Sequence, residues 1–112
     1  MAVAANVPPP PMMCSISEHR VGANQIQIEA RIRSDVVQAG TYRLQVTKRG
    51  PAGSTQVNQQ SEFSLDAGGA LEIRGLTFSV EPEARYQVVL SIKAGDAAYT
   101  CERSGPEGSD RL

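Results

Sequence analysis

The chain has 112 residues, of which 40% are hydrophobic, enough for one small domain with a real core and too few for two. Its formal net charge is −1, so no global charge draws it to nucleic acid or to a membrane surface. No apolar run approaches the roughly 20 residues of a membrane-spanning helix, so membrane insertion by that route is not expected.

Residues 1–12 contain Pro8, Pro9, Pro10 and Pro11, a composition that favours an extended, disordered polyproline arm. They carry no basic region followed by a long apolar stretch, so they do not form an intact signal peptide. A folded domain is expected over 13–103. The stretch 104–112, rich in Gly, Ser and charge, reads as a flexible tail.

Strands announce themselves by alternation. Cys14 and Ile16 share a face in a first strand over 13–18, and His19 follows as an exposed turn residue. The clearest run is 25–33, where Ile26, Ile28, Ala30 and Ile32 oppose Gln25, Gln27, Glu29, Arg31 and Arg33. That is a period of two, with one buried and one wet face. Tyr42, Leu44 and Val46 define a third strand over 41–49. Residues 54–65 are polar through Gln59 and Gln60 and alternate only at the end, with Phe63 and Leu65 against Glu62 and Ser64. Leu71 and Ile73 alternate in 69–74, and the pattern resumes with Leu76 and Phe78 after a bulge expected at Gly75. Tyr86, Val88, Leu90 and Ile92 line one face of 85–93, and Tyr99 and Cys101 share a face in 97–103. Gly or Pro punctuates every interval, for example Gly50-Pro51-Ala52-Gly53 and Ala94-Gly95-Asp96. Only three Tyr, two Phe and no Trp are available, so the core must be mainly aliphatic.

Seven short strands predict an all-β fold, an immunoglobulin-like sandwich, with a small barrel as the other architecture. The two cysteines sit in the first and last strands, which reads as a Cys14–Cys101 disulfide and hence an oxidising compartment; two separate buried thiols are the alternative. Closing a loop of about 87 residues stabilises by roughly 4–5 kcal/mol in the chain-entropy view. Antibody domains instead bridge the second and sixth strands beside a Trp, so an antibody-type domain is excluded.

The residues offer little chemistry. His19 is the only histidine, so a His/Cys catalytic pair or a zinc site lacks members. There is no Gly-x-Ser-x-Gly elbow, no phosphate-binding glycine loop and no calcium-loop spacing, and neither enzyme activity, metal nor cofactor is expected. What remains is surface. With the usual partition, strands three, six and seven form one sheet. Parity then turns Arg43, Gln45, Thr47 and Arg49, then Arg85, Gln87, Val89, Ser91 and Lys93, then Thr100 and Glu102 outward. The other sheet, from strands one, two, four and five, balances Glu29, Glu62 and Glu72 against Arg31, Arg33 and Arg74. A nearly neutral chain thus carries one basic, Gln-containing face, which either serves a partner or simply solvates a sheet.

The stretch Tyr42-Arg43-Leu44-Gln45-Val46-Thr47-Lys48-Arg49-Gly50, then Gly53-Ser54-Thr55-Gln56-Val57-Asn58-Gln59-Gln60-Ser61-Glu62-Phe63-Ser64-Leu65, closed by Tyr99-Thr100-Cys101, resembles the CsgH branch of the CsgC-like curli assembly proteins. The resemblance runs from about Cys14 to Cys101, over no single highly specific motif. It implies an Ig-like sandwich in the periplasm of a Gram-negative bacterium. It also implies a chaperone-like monomer that keeps the amyloid-forming major curli subunit from polymerising, at well below equal stoichiometry. The client-binding residues expected on that reading are Arg43, Gln45, Arg49, Arg85, Gln87 and Lys93. The Cys-x-Cys motif of the CsgC branch is missing, so no redox role transfers. Two other functions remain open. A structural or adhesive Ig-like module is one, although a donor-strand subunit would lack the last strand that 97–103 supplies. A carbohydrate-binding sandwich is the other, and the lack of Trp speaks against it.

Overall fold

A computed structural model describes residues 12–51 and 53–105, the side chains at 75 and 76 excepted. The polyproline stretch and residues 106–112 lie outside the described residues. Seven strands follow one another: β1 (Met12–Gly22), β2 (Gln25–Ser34), β3 (Gln38–Gly50), β4 (Gly53–Leu65), β5 (Ala70–Ser79), β6 (Arg85–Ala94) and β7 (Ala97–Gly105). They form an antiparallel sandwich of a three-stranded sheet, in the order β1-β2-β5, on a four-stranded sheet, in the order β4-β3-β6-β7. The described strands run from Met12 to Gly105, and the expected domain 13–103 lies within them. Met12 pairs with Ser34 and is buried, and Gly105 pairs with Tyr86.

The expected partition needs one correction: β4 belongs beside β3, not in the sheet of β1, β2 and β5. The cause is the connection. Gly50 pairs with Gly53 across a two-residue loop, and so tight a hairpin makes its strands neighbours. The pairing then runs without a register shift from Gly50↔Gly53 to Gln38↔Leu65. His19 also differs from expectation. It lies within β1, opposite Gln27, with Nε2 3.3 Å from a Glu29 carboxylate oxygen. The bulge expected at Gly75 is present: Gln27 pairs with Thr77 and Glu29 with Arg74, so β5 carries one residue more than β2 across this step.

The core is aliphatic. Ile26, Ile28, Ile32, Leu44, Val88, Leu90 and Ile92 are almost completely buried between the sheets. The Phe78 and Tyr86 rings meet edge to face, with centroids 5.5 Å apart. Gly40 is required by a close approach, because a Cβ there would stand 1.9 Å from the Lys93 carbonyl oxygen on β6.

The two long sides of the sandwich are held differently. Along β1 and β7 the Cys14–Cys101 disulfide joins the sheets, with Cα atoms 6.1 Å apart and a sequence separation of 87. Beside it the Tyr86 hydroxyl donates to the Glu18 carboxylate, and Arg103 Nε lies 4.0 Å from the same oxygen. Gly105 covers this contact: a Cβ there would come within 2.6 Å of both oxygens. Along β4 and β5 no covalent link is present among the described residues. There the Lys48 ammonium spans from β3 to the end of β5, donating to the Ser79 carbonyl at 2.7 Å and lying 3.5 Å from the Glu81 carboxylate.

Reduction of the disulfide, or the Cys14→Ala/Cys101→Ala pair, is expected to destabilise the fold by about 2–5 kcal/mol, read as a lower urea midpoint with a steeper slope, because the unlinked denatured chain exposes more surface. Tyr86 gives a pH signature. Burial first, and then its bond to Glu18, push its hydroxyl pKa well above the ordinary value near 10. A pKa raised in the folded state contributes stability below the unfolded pKa and loses it above. Wild type should therefore hold constant stability up to about pH 10 and lose it beyond, while Tyr86→Phe should be less stable at neutral pH and lack that alkaline limb. Denaturation series between pH 7 and 11 check this, and parallel curves for the two proteins would contradict it.

Candidate functional site: the outer face of the four-stranded sheet

The registers place every expected interface residue on one surface. Across β4, β3, β6 and β7, successive outward rows are Ser54–Arg49–Arg85, then Gln56–Thr47–Gln87–Ser104, then Asn58–Gln45–Val89–Glu102, then Gln60–Arg43–Ser91–Thr100, then Glu62–Thr41–Lys93–Ala98. Arg43, Gln45, Arg49, Arg85, Gln87 and Lys93 are thus brought together. The move of β4 adds Gln56, Asn58 and Gln60, so five amide side chains cluster on the face. It also adds Glu62. Four cations therefore share this face with two carboxylates, Glu62 and Glu102, and the surplus is smaller than the sequence suggested.

Arrangement separates the two outer faces more than count does. On the three-stranded sheet, opposite charges stand opposite in register: Glu29 faces Arg74 and Arg31 faces Glu72. Charges so placed attract across the sheet, but neither pair closes to within 4 Å, and Glu29 instead lies 3.3 Å from His19. On the four-stranded sheet Arg49 faces Arg85, a like-charge pair with only Ser54 completing its row. Directly opposed like charges cost a few tenths of a kcal/mol and up to about 1 kcal/mol. Among the described residues Arg43, Arg49, Arg85 and Lys93 make no ion pair within 4 Å, and neither do Arg31, Arg33 and Arg74 of the other outer face, so the in-register Arg49 and Arg85 and the rows of amides are what set this face apart. The face therefore sets cations without ion pairs among amides that can donate and accept hydrogen bonds.

The chemistry of this surface is that of contact. Both cysteines are consumed by the disulfide. Sequence reasoning missed the Tyr86–Glu18–Arg103 cluster, although Glu18 shares parity with Cys14 and Ile16 and was thereby directed inward.

Comparison by sequence with curated proteins gave no match. Among solved structures, the solution structure of CsgH from R. palustris superposes with a TM-score of 0.65 at 22% identity, over 81% of this chain and 89% of that one. The E. coli curli protein CsgC superposes with a TM-score of 0.71 at 15% identity, over 85% of this chain and 98% of that one. At these identities the likeness carries the fold, which agrees with the sandwich described above. The family model described as CsgH protein matches residues 13–104, the span of all seven strands, and the chain belongs to the CsgH family.

Proposed function

We propose that this protein acts in curli biogenesis as a periplasmic, non-catalytic inhibitor of subunit polymerisation. It makes transient contacts between the outer face of its four-stranded sheet and early, still unstacked curli subunits. Family membership supports the curli connection, and the structural neighbour from E. coli is itself a curli protein. The observation that carries the contact surface is the in-register pair Arg49 and Arg85, with Arg43 and Lys93 on the same face, amid Gln45, Gln56, Asn58, Gln60 and Gln87.

The physical logic is kinetic. Fibres grow by stacking strands, so a contact that engages the client before the first stack forms can act below equal stoichiometry. A cationic face accelerates encounter with an acidic, amide-rich chain, and the amides give hydrogen bonds without a deep pocket. The disulfide fits the oxidising periplasm.

A thioflavin time course of a purified major curli subunit, with this protein well below equal stoichiometry, should show a longer lag. An unchanged lag refutes the function. The triple variant Arg43→Glu/Arg85→Glu/Lys93→Glu should keep the wild-type thermal midpoint and lose potency on the order of ten-fold, since steering contributes about 10- to 1,000-fold to association rates. Salt raised to 0.5 M should blunt wild type toward the variant, because exposed charges are screened over about 8–10 Å at physiological ionic strength. A folded triple variant with full potency would remove this face from the mechanism.

A further inference from the structure

β4 ends its sheet, and among the described residues no other strand pairs with its outer edge. It is 13 residues long, so the edge extends over roughly 40 Å. Natural edge strands are shortened, bulged, covered, or protected by Lys or Pro. β4 has no Lys, no Pro and no register shift against β3.

Two hairpins fix which backbone groups face outward. Residues flanking a two-residue hairpin loop point their N–H and C=O groups at each other, and successive residues along a strand point to alternate sides. Ala94 pairs with Ala97 across Gly95 and Asp96, with Gly95 at φ +61°, as such a turn requires. Even-numbered residues of β6 therefore point at β7, and odd-numbered ones at β3. Arg43↔Ser91 then makes odd residues of β3 point at β6, and even ones at β4. The loop between Gly50 and Gly53 independently gives the same parity. Odd residues of β4 thus bond β3, while Ser54, Gln56, Asn58 and Gln60 turn their N–H and C=O groups to the free edge. The same four residues place their side chains on the outer face of the sheet.

The inner side of this edge is also incomplete. Val57 is 38% exposed, and a groove of about 310 Å³ runs between β4 and β5, lined by Val46, Lys48, Thr55, Val57, Thr77 and Phe78 among others. Gln59, on the inward parity, leaves its buried Oε1 without a hydrogen-bond partner among the described residues.

We infer that the free edge of β4, over 54–60, is a strand-addition site: it takes one extended segment of another polypeptide as a fifth strand of the four-stranded sheet. The segment has Gln, Asn or acidic side chains on one face and small apolar ones on the other. Its backbone pairs with Ser54, Gln56, Asn58 and Gln60. Its amides ladder beside Gln56 and Asn58, its acidic groups lie on the same side of the sheet as the cations of β3 and β6, and its apolar side chains close the groove over Val57 and Phe78. This rests on the proposed function for the identity of the client, and it adds the binding mode.

Asn58→Pro tests the edge without touching charge. The Asn58 N–H makes no bond to β3, so the fold should persist. About ten-fold more variant than wild type should be needed for the same thioflavin lag, equivalent to about 1.4 kcal/mol of edge binding. A folded Asn58→Pro with wild-type potency, where the charge triple is impaired, overturns the edge and leaves the face. If Asn58→Pro does not fold, amide hydrogen exchange on wild type decides. The N–H groups of residues 54, 56, 58 and 60 should exchange fast in the free protein, and those of 55, 57 and 59 slowly. An acidic Gln/Asn-rich synthetic peptide with small apolar residues at alternate positions should protect the even set. Protection elsewhere, no protection at all, or protection that grows with protein concentration without peptide (a second copy on the edge) each overturns the inference. The peptide readout needs no fibre assay, so loss of the curli function leaves it standing.

Discussion

Everything in this sandwich follows from its being fastened along one side only. A chain of this size with no Trp must build its core from Ile, Leu and Val, and that core is thin, with only three strands on one side. The Cys14–Cys101 link compensates where it restricts the unfolded chain most, between its first and last strands. The Tyr86–Glu18 bond beside it then costs little, because the disulfide has already brought β1 against β7. Glu18 is 8% exposed, and a carboxylate that deep is tolerable only with donors from Tyr86 and Arg103 around it.

Fastening one side leaves the other free to diverge. β4 is longer than any strand of the sheet facing it, and its first half lies across an open groove from β5, with no neighbouring strand on its outer edge among the described residues. Thr55 and Val57 point to the inner side yet stay exposed, and Lys48 reaches across that gap to Ser79 and Glu81. A free edge of this kind invites aggregation in an ordinary protein. Here its amides give hydrogen bonding without the large apolar side chains that drive irreversible pairing, and Val57 is the sole aliphatic residue on β4 before Phe63.

How much of this was legible varied with the clarity of alternation. The 25–33 run fixed its strand and its buried face outright, and Gly75 marked the bulge, because apolar side chains with a period of two leave no other solution. Residues 54–61 form a strand too, but polar residues on both faces say nothing about which side is buried, so the allocation of β4 rested on a fold-level habit and was wrong. The better signal was local: two residues between Gly50 and Gly53 leave no room for a crossover to the other sheet. The same error hid part of the candidate site, since Gln56, Asn58 and Gln60 join the basic face only through that hairpin.

Magnitudes divide the labour between the face and the edge. A strand added to β4 lies two strand spacings from β3, about 10 Å from Arg43 and Arg49. At that distance a unit charge pair in water is worth about 0.4 kcal/mol, and physiological salt cuts it to roughly a third. Four such cations together supply well under 1 kcal/mol once a client strand is seated, too little to hold it. Their effect falls instead on encounter, where a modest field acting on every approach changes rates far more than residence. Residence must come from short-range bonds, and on this surface the dense row of unused donors and acceptors is the backbone of β4 itself. Net contributions near 1 kcal/mol per hydrogen bond, offset by the ordering of an extended chain, give a contact that forms fast and breaks fast. On the proposed function, rapid turnover would let one molecule meet many nascent subunits in succession, a task that a weak edge serves better than a deep pocket.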